Sequence, residues 1–240
     1  MISKTSNQSI EADVYLGEDA FRYKYFIANS VLSKIKDSEN FQYKNIALGK
    51  ITSINIYNPF KIILFYENFN SAIILDNQLN EIQKINFSEN KKQIVTSVVG
   101  ISFQNNLWVF NATNQQIGLY DYLKNEYKNI SVPISATIKY YETNSNFFYW
   151  IDEKNYWYSC DIFGKIIALG KLPDFDFVQI VSNLSIIFKK DDLLYHYSLN
   201  SNKKILINIE EKRYKKFYYR DQNLSIFTPE GITNYKINLP

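Results

Sequence analysis

Apolar residues occur along this chain in short, strand-length runs that are separated by polar turns. The recurring unit is an apolar run, a turn of Asn, Asp, Lys or Ser, and a second run rich in aromatic residues. Six copies of this unit lie at 23–35, 62–75, 107–120, 148–160, 184–197 and 224–237. Paired runs rich in β-branched and aromatic residues predict β-hairpins, and no segment has a convincing helical periodicity.

The hairpins follow one another at a spacing of about 40 residues, a period typical of propellers and solenoids. An alternating segment such as 51–56 or 137–141 precedes each hairpin, and a polar segment such as 81–87 follows most of them. Each unit therefore has four strands, of which the middle two are almost continuously apolar. This pattern predicts an all-β, six-bladed β-propeller of four-stranded antiparallel blades.

The two ends of the chain complement each other in this scheme. The sixth copy ends at 239–240, before its outer strand, while 2–10 form an unassigned strand at the other end. We expect the N-terminal strand to join the last blade and close the ring, because closure removes an exposed sheet edge. A solenoid would instead need polar caps. The expected organisation is one domain over 1–240.

Composition adds turn chemistry and charge to this picture. Glycine and proline are few (Gly 7, Pro 5), so we expect the abundant Asn to form many turns, since it tolerates left-handed backbone. The formal net charge is only +3, which provides no general field for a polyanion. Nucleic acid is therefore not an expected partner.

Cysteine usage and hydropathy bear on the compartment. The single cysteine, Cys160, excludes an intrachain disulfide and fits the cytosol and the bacterial periplasm equally. No window approaches the roughly 20 apolar residues of a membrane span. Residues 1–9 lack the apolar core of a signal peptide, so the chain is either cytoplasmic or a mature sequence whose signal has been removed. Its strand-like start favours the second alternative, a periplasmic or secreted protein.

Two segments resemble known propeller repeats. FYWIDEKN at 148–155, followed by YSCDIFGKI at 158–166, resembles the YWTD repeat of six-bladed propellers. LWVFN at 107–111, with YD at 120–121, is similar to the NHL repeat. The resemblance implies the fold and the blade number, whereas function does not follow from fold. Among such propellers, the lactonase-like enzymes hold a divalent cation at the channel mouth with Glu, Asn and Asp side chains.

Residues for catalysis are scarce. His196 is the only histidine, lies in the middle of a predicted strand and has no nucleophile-elbow glycines near it, so we expect no enzyme. One His and one Cys cannot supply the ligands of zinc or iron. Oxygen ligands exist in the predicted turns, for example Asp174, Asp176 and Asp191, so no cofactor is expected but Ca²⁺ stays open.

The segment 212–220 interleaves basic and aromatic residues, which is the composition of a platform for single-stranded nucleic acid. Alternation along a strand would send Phe217 and Tyr219 to one side and Lys216 and Tyr218 to the other. A solvated strand edge guarded by lysine is the favoured interpretation. The basic residues that we expect to contact a partner are Lys212, Arg213, Lys215 and Arg220.

These observations favour a non-catalytic scaffold that binds another protein, in a bacterial envelope compartment. Exposed Tyr and Trp side chains at one rim would anchor the partner, because these residue types dominate interface hot spots. The candidate anchors are Trp108, Tyr149, Trp150 and Trp157. The alternative is a glycan-binding or Ca²⁺-dependent lactonase-like propeller, which would need several oxygen-bearing side chains converging at the channel mouth.

Overall fold

A computed structural model describes residues 2–89, 94–211 and 213–239. Within these residues the chain forms six four-stranded antiparallel sheets, arranged as the blades of a β-propeller. Helical structure in the same residues is confined to two 3-10 turns, Glu67–Phe69 and Phe87–Glu89. None of the helices in this part of the chain has the length and hydropathy to cross a membrane. The predicted fold class is confirmed.

Strand order within each blade follows the chain from the central channel outward. Blade 1 consists of β2 (Val14–Glu18), β3 (Lys24–Ala28), β4 (Val31–Lys36) and β5 (Glu39–Tyr43). Blade 2 consists of β6 (Ser53–Asn58), β7 (Lys61–Tyr66), β8 (Ser71–Leu75) and β9 (Glu81–Asn86). Blade 3 consists of β10 (Thr96–Ile101), β11 (Asn106–Asn111), β12 (Gln116–Asp121) and β13 (Glu126–Asn129).

The second half of the ring repeats this arrangement. Blade 4 consists of β14 (Ile138–Thr143), β15 (Phe147–Asp152), β16 (Tyr156–Asp161) and β17 (Ile166–Lys171). Blade 5 consists of β18 (Phe177–Ser182), β19 (Ser185–Lys190), β20 (Leu193–Ser198) and β21 (Lys203–Ile207). Blade 6 consists of β22 (Lys216–Arg220), β23 (Asn223–Thr228), β24 (Gly231–Ile237) and, from the other end of the chain, β1 (Ile2–Gln8).

Blade 6 closes the ring as predicted. β1 pairs antiparallel with β24, with Ile2 opposite Ile237 and Gln8 opposite Ile232. Gly231 begins β24 at a φ of +136°, and a Cβ at this position would lie 2.2 Å from the Gln8 carbonyl oxygen. The close approach of the two chain ends therefore requires glycine here.

Burial follows the strand pattern that the sequence predicts. Every residue of β8 is buried, and so is every residue of β7 after Lys61, whereas the outer strand β13 is mostly exposed. The middle strands are buried because neighbouring blades cover both of their faces. The hydrophobic core accordingly lies between blades, for example where Phe65 of blade 2 shares a cluster with Val109 and Tyr120 of blade 3.

Asn and Asp residues form or stabilise many of the turns between strands. Asn29, Asn70 and Asn155 adopt positive φ in connections between strands. Asp19 and Asp152 each accept two backbone N–H bonds through Oδ1 and so fix the turns after β2 and β15. Side-chain capping of this kind explains how a chain with few glycines closes so many hairpins.

Candidate functional site

The innermost strands β2, β6, β10, β14, β18 and β22 surround a central channel with a volume of about 1510 Å³. We call the end at which these strands begin the upper face and the end at which they finish the lower face. The channel lining includes backbone and side chains from several blades, with aromatic, charged and amide groups together. Concave cavities that combine apolar and aromatic groups with a few polar ones are the usual form of small-molecule sites.

Blades 2 and 4 contact each other directly inside the channel. Asn55 Nδ2 on β6 donates a hydrogen bond to Thr143 Oγ1 on β14 at 3.0 Å. One layer higher, Tyr141 Oη donates to Ser53 Oγ at 2.9 Å. These bonds pass in front of β10 and fill that side of the channel. The residues that line the channel accordingly come from blades 1, 2, 4, 5 and 6, and from blade 3 the lining includes Val99.

Glu142 on β14 is a carboxylate of the channel lining that lies on an inner strand. Its Oε1 accepts hydrogen bonds from the Tyr140 hydroxyl and, at 2.8 Å, from the Ile180 backbone N–H on β18. Burial raises the pKa of Glu142 to about 7, although both hydrogen bonds and the positive charge of Lys216 act in the opposite direction. The pKa of this carboxyl group is therefore near neutrality, and such strongly shifted pKa values are common at functional sites.

Lys216 on β22 also lines the channel. Burial lowers the pKa of its ammonium group, while the carboxylate of Glu142 raises it. The Nζ atom lies 5.3 Å from the centre of the Phe177 ring. In the described part of the chain it forms neither an ion pair nor a hydrogen bond, so its charge is available to a ligand.

Two contacts between blades hold β22 in place. The Gln179 side chain on β18 forms two 2.7 Å hydrogen bonds with Tyr219, one with its backbone N–H and one with its carbonyl oxygen. On the other side, Arg220 Nη1 donates to the Glu18 carbonyl oxygen at 3.4 Å. The two strands beside β22 thus fix its register, and with it the positions of Lys216 and Tyr218.

The channel does not contain a carboxylate set suited to Ca²⁺. No group of three or more His, Cys, Asp and Glu side chains in the described residues is placed to hold a metal ion. Besides Glu142, the lining includes Asp13, before β2 at the upper face, and Asp221, after β22 at the lower face. Because a Ca²⁺ site needs several oxygens that converge from separate segments, these scattered carboxylates do not fit one.

The expected tryptophan anchors are not on the surface. Trp108, Trp150 and Trp157 are buried on the second and third strands of their blades, where sheets cover both faces. Trp108 Nε1 donates to the Asn144 carbonyl oxygen at 2.9 Å, and Trp150 stacks on Tyr158. The expectation that they form a contact rim is therefore wrong. Tyr149 is also buried, but it borders the channel.

The basic segment separates into two environments. Arg213 and Lys215 are exposed before β22, whereas Arg220 is half-buried and bonded to blade 1; Lys212 lies outside the described residues. The predicted alternation is confirmed, because Phe217 packs against Phe177 of blade 5 whereas Tyr218 packs toward blade 1. The strand edge, however, faces the channel and not bulk solvent, which places Lys216 in the interior.

The other candidate residues from the sequence, His196, Asp174 and Asp176, have structural contacts. His196 is buried on β20, and burial lowers its pKa. Asp174 accepts a 2.7 Å hydrogen bond from Asn155 Nδ2. Asp176 accepts hydrogen bonds from Lys190 Nζ at 3.2 Å and from the Asp191 backbone N–H at 3.0 Å. These contacts link neighbouring connections, and Asp174 and Asp176 therefore have separate hydrogen-bond partners.

The lower face carries exposed aromatic residues that sequence reasoning missed. We define the aromatic patch as Phe21, Tyr57 and Phe60, which are 48%, 50% and 55% exposed. The rings of Phe21 and Phe60 meet edge to face, with 5.6 Å between their centres. Tyr57 lies at the end of β6 and borders the channel. In the sequence, each of these aromatic residues follows an Asp or Asn by two positions, in or near the turn between the two inner strands of a blade. This pattern could have predicted them.

Turn chemistry holds this patch in place. The Phe21 backbone N–H donates to Asp19 Oδ1 at 2.8 Å, and the Phe60 N–H donates to Asn58 Oδ1 at 2.9 Å. Tyr57 is held in the same manner by Asn55. These hydrogen bonds fix the backbone from which the three side chains project, so that less backbone must be ordered when a partner binds.

Comparison with known proteins supports the fold. No family model matches the chain, and no curated protein matches it either. Virginiamycin B lyase from Staphylococcus aureus is similar in structure, with 12% identity, a TM-score of 0.60, and coverage of 93% of this chain and 80% of that chain. A streptogramin B lyase has 11% identity, a TM-score of 0.60, and coverage of 99% and 98%.

A third structure comes from a different kind of protein. The Swd1 (Cps50) β-propeller domain of Myceliophteria thermophila has 8% identity, a TM-score of 0.61, and coverage of 99% of this chain and 100% of that domain. The same fold thus occurs in lyases and in other propeller proteins. At these identities the likeness shows the propeller fold alone.

Proposed function

We propose that this chain is a non-catalytic binding propeller whose lower face contacts a protein partner through the aromatic patch. The observation that carries this proposal is the pair formed by Phe21 and Phe60, two half-exposed rings on neighbouring blades. Each ring projects from a turn that a side-chain carboxylate or amide oxygen caps. Aromatic residues, Phe among them, are enriched in protein interfaces relative to the rest of the surface.

The energetics of the pair support contact with an apolar side chain. Full burial of a Phe side chain contributes roughly 1.5–3 kcal/mol, so covering two half-exposed rings contributes about 2 kcal/mol in total. Arg22 follows Phe21, and its Nη1 donates to Glu18 Oε1 at 2.8 Å. An apolar centre beside such charged groups has the composition of a transient protein interface.

The placement of the single histidine supports a role without catalysis. One of the similar structures is a virginiamycin B lyase made catalytically inactive by a histidine-to-alanine substitution. His196 of this chain is buried on β20, the third strand of its blade, and does not line the channel. A channel that lacks histidine is a poor basis for the same chemistry.

Affinity capture with matched variants tests the proposal. The chain is immobilised and exposed to an extract of its source organism, with and without crosslinking, beside the double variant Phe21→Ser/Phe60→Ser. The control is Phe69→Ser, because Phe69 is 49% exposed and lies on the upper face, in the connection between β7 and β8. We expect a stoichiometric partner that the wild type and the control retain and the double variant loses.

Two results would contradict the proposal. One is the recovery of no stoichiometric partner, even after crosslinking. The other is a partner that binds the double variant as well as the wild type, which would place the interface elsewhere on the molecule.

Compartment and ancestry belong to the same proposal. We place the protein in the periplasm or outside the cell, and we relate blade 4 to YWTD-type repeats. Asp152 of that blade caps the turn after β15 through its Oδ1, a role that a repeated Asp at this position would serve in any blade. The upstream coding sequence and fractionation of the source cells test the compartment.

A further inference from the structure

We infer that the central channel binds a small zwitterion, a molecule with an amine and a carboxylate, between Glu142 and Lys216. Glu142 and Lys216 lie inside the ring and do not belong to the aromatic patch, of which Tyr57 borders the same channel. The site therefore adds a small-molecule activity to the proposed protein contact and stands independently of it.

The first step concerns the unused oxygen of Glu142. Both hydrogen bonds to this carboxylate, from Tyr140 and from the Ile180 N–H, end on Oε1. Oε2 accepts no hydrogen bond from the described residues, and the half-buried side chain lines the channel. Glu142 is thus held in one orientation by its first oxygen while the second remains open to the channel.

The second step concerns the opposite charge. Lys216 stands on β22, on the other side of blade 5 from Glu142. The charge of Lys216 lowers the pKa of Glu142, and the charge of Glu142 raises the pKa of Lys216. The two side chains nevertheless form no ion pair within 4.0 Å. Two opposite charges that line one cavity without meeting define the two ends of a dipolar ligand.

The third step is the cost of leaving these charges unpaired. Burial raises the pKa of Glu142 and lowers the pKa of Lys216, so the surroundings disfavour both ionised forms. An uncompensated buried charge is strongly unfavourable, and a charge-assisted hydrogen bond to a ligand removes that cost. A ligand with an ammonium group near Glu142 and a carboxylate near Lys216 would provide a charged partner for both side chains.

The remaining groups around Glu142 carry no competing charge at neutral pH. The titratable side chains that sense it are Tyr140 on β14, Tyr149 on β15, and Lys216 and Tyr218 on β22. Burial raises the pKa of each tyrosine, to about 12 for Tyr218, so all three hydroxyls stay neutral. β18 contributes the backbone N–H of Ile180. Lys216 is therefore the charged side chain that acts on Glu142.

The walls set the shape of the ligand. Glu142 lies on blade 4 and Lys216 on blade 6, so a ligand that contacts both lies against blades 4 to 6. On β18, the inner strand between β14 and β22, the lining includes Ile180 and the ring of Phe177. Apolar and aromatic groups between two charged ends suit a short methylene chain or an amino-acid side chain.

Titration calorimetry with linear ω-amino acids tests the inference. The probes run from glycine through β-alanine and 4-aminobutyrate to 6-aminohexanoate, with butylamine and butyrate as singly charged references. We expect saturable binding with an optimum chain length, and affinity about tenfold or more lower for either reference, because each lacks one charge-assisted contact. Affinity should also fall as the pH drops below about 7 and Glu142 becomes protonated.

Matched variants locate the site. Glu142→Gln and Lys216→Met should each reduce affinity for the best probe about tenfold or more. Glu126→Gln and Lys128→Met, both exposed on the outer strand β13, are the controls and should bind as the wild type does. The double variant of the aromatic patch should also retain binding, so a failure of the protein-contact proposal leaves this result unaffected.

Three outcomes would overturn the inference. The first is the absence of saturable binding for every member of the series. The second is binding that survives both channel variants, with their folded state verified by circular dichroism. The third is binding of a neutral sugar such as methyl glucoside in preference to the zwitterions, which would indicate a glycan channel.

Discussion

Thr143 on β14 lies directly against Gly100 on β10, so closely that a Cβ at Gly100 would lie 2.0 Å from the threonine Oγ1. The same Oγ1 accepts the hydrogen bond from Asn55 on β6. Three inner strands from blades 2, 3 and 4 therefore meet at one point. The absence of a side chain at Gly100 is what allows the outer two to touch.

Gly100→Ala should destabilise the protein by about 1–3 kcal/mol, the usual cost of overpacking a tight contact. Thr143 has little freedom to move, because its hydroxyl is bonded across the channel. Urea unfolding measures the change, and the double variant Gly100→Ala/Thr143→Ala should recover part of the loss. An unchanged unfolding midpoint for Gly100→Ala would mean that the inner strands are not packed as described.

The buried pair formed by Asp19 and Lys34 provides a second test. Lys34 Nζ lies 3.7 Å from Asp19 Oδ2, and both side chains are buried. Asp19→Ala should cost about 3–5 kcal/mol, because it leaves the lysine charge buried without its carboxylate. Lys34→Met should cost less, since Asp19 keeps its bonds to two backbone N–H groups and to Tyr25. Equal losses for the two variants would contradict this order.

Glu142 should make stability depend on pH. Burial raises its pKa from 4.5 to about 7, so the folded state binds the proton more tightly than the unfolded chain. The contribution of Glu142 to stability is therefore greatest below pH 4.5 and is lost as the pH rises through 7. Relative to the wild type, Glu142→Gln should gain on the order of 2 kcal/mol more at pH 8 than at pH 5. The measurement is urea unfolding of both proteins at the two pH values, and a gain that does not grow with pH would refute it.

Ring closure should be essential for stability and solubility. Deletion of residues 1–8 removes β1 and leaves the edge of β24 unpaired. At about 0.5–1.5 kcal/mol for each ladder hydrogen bond, the loss should reach several kcal/mol. The exposed edge should also promote association between molecules. Thermal unfolding and light scattering after size exclusion check both effects. A deletion variant as stable and as monodisperse as the full chain would show that closure contributes little.

Hairpin periodicity was sufficient to predict the architecture. Apolar runs such as 62–66 and 148–151 must form strands that are covered on both faces, and a four-strand unit repeated six times has few packing solutions. Closure followed from the same logic, because residues 2–8 had no other partner and β24 lacked an outer neighbour. Both conclusions depend on local pattern and on strand count, which are properties of the chain itself.

The residues of the candidate site could be identified only from the tertiary structure. The sequence could not distinguish a buried aromatic residue from an exposed one, so Trp108 was expected at the surface while Phe21 was overlooked. Glu142 and Lys216 are 74 positions apart in the chain and share a cavity only because β14 and β22 both line the channel. The sequence by itself determined strands, blade number and closure, because these follow from short-range alternation. Which polar side chains line the channel was decided by the tertiary structure, because only the closed ring brings the inner strands together.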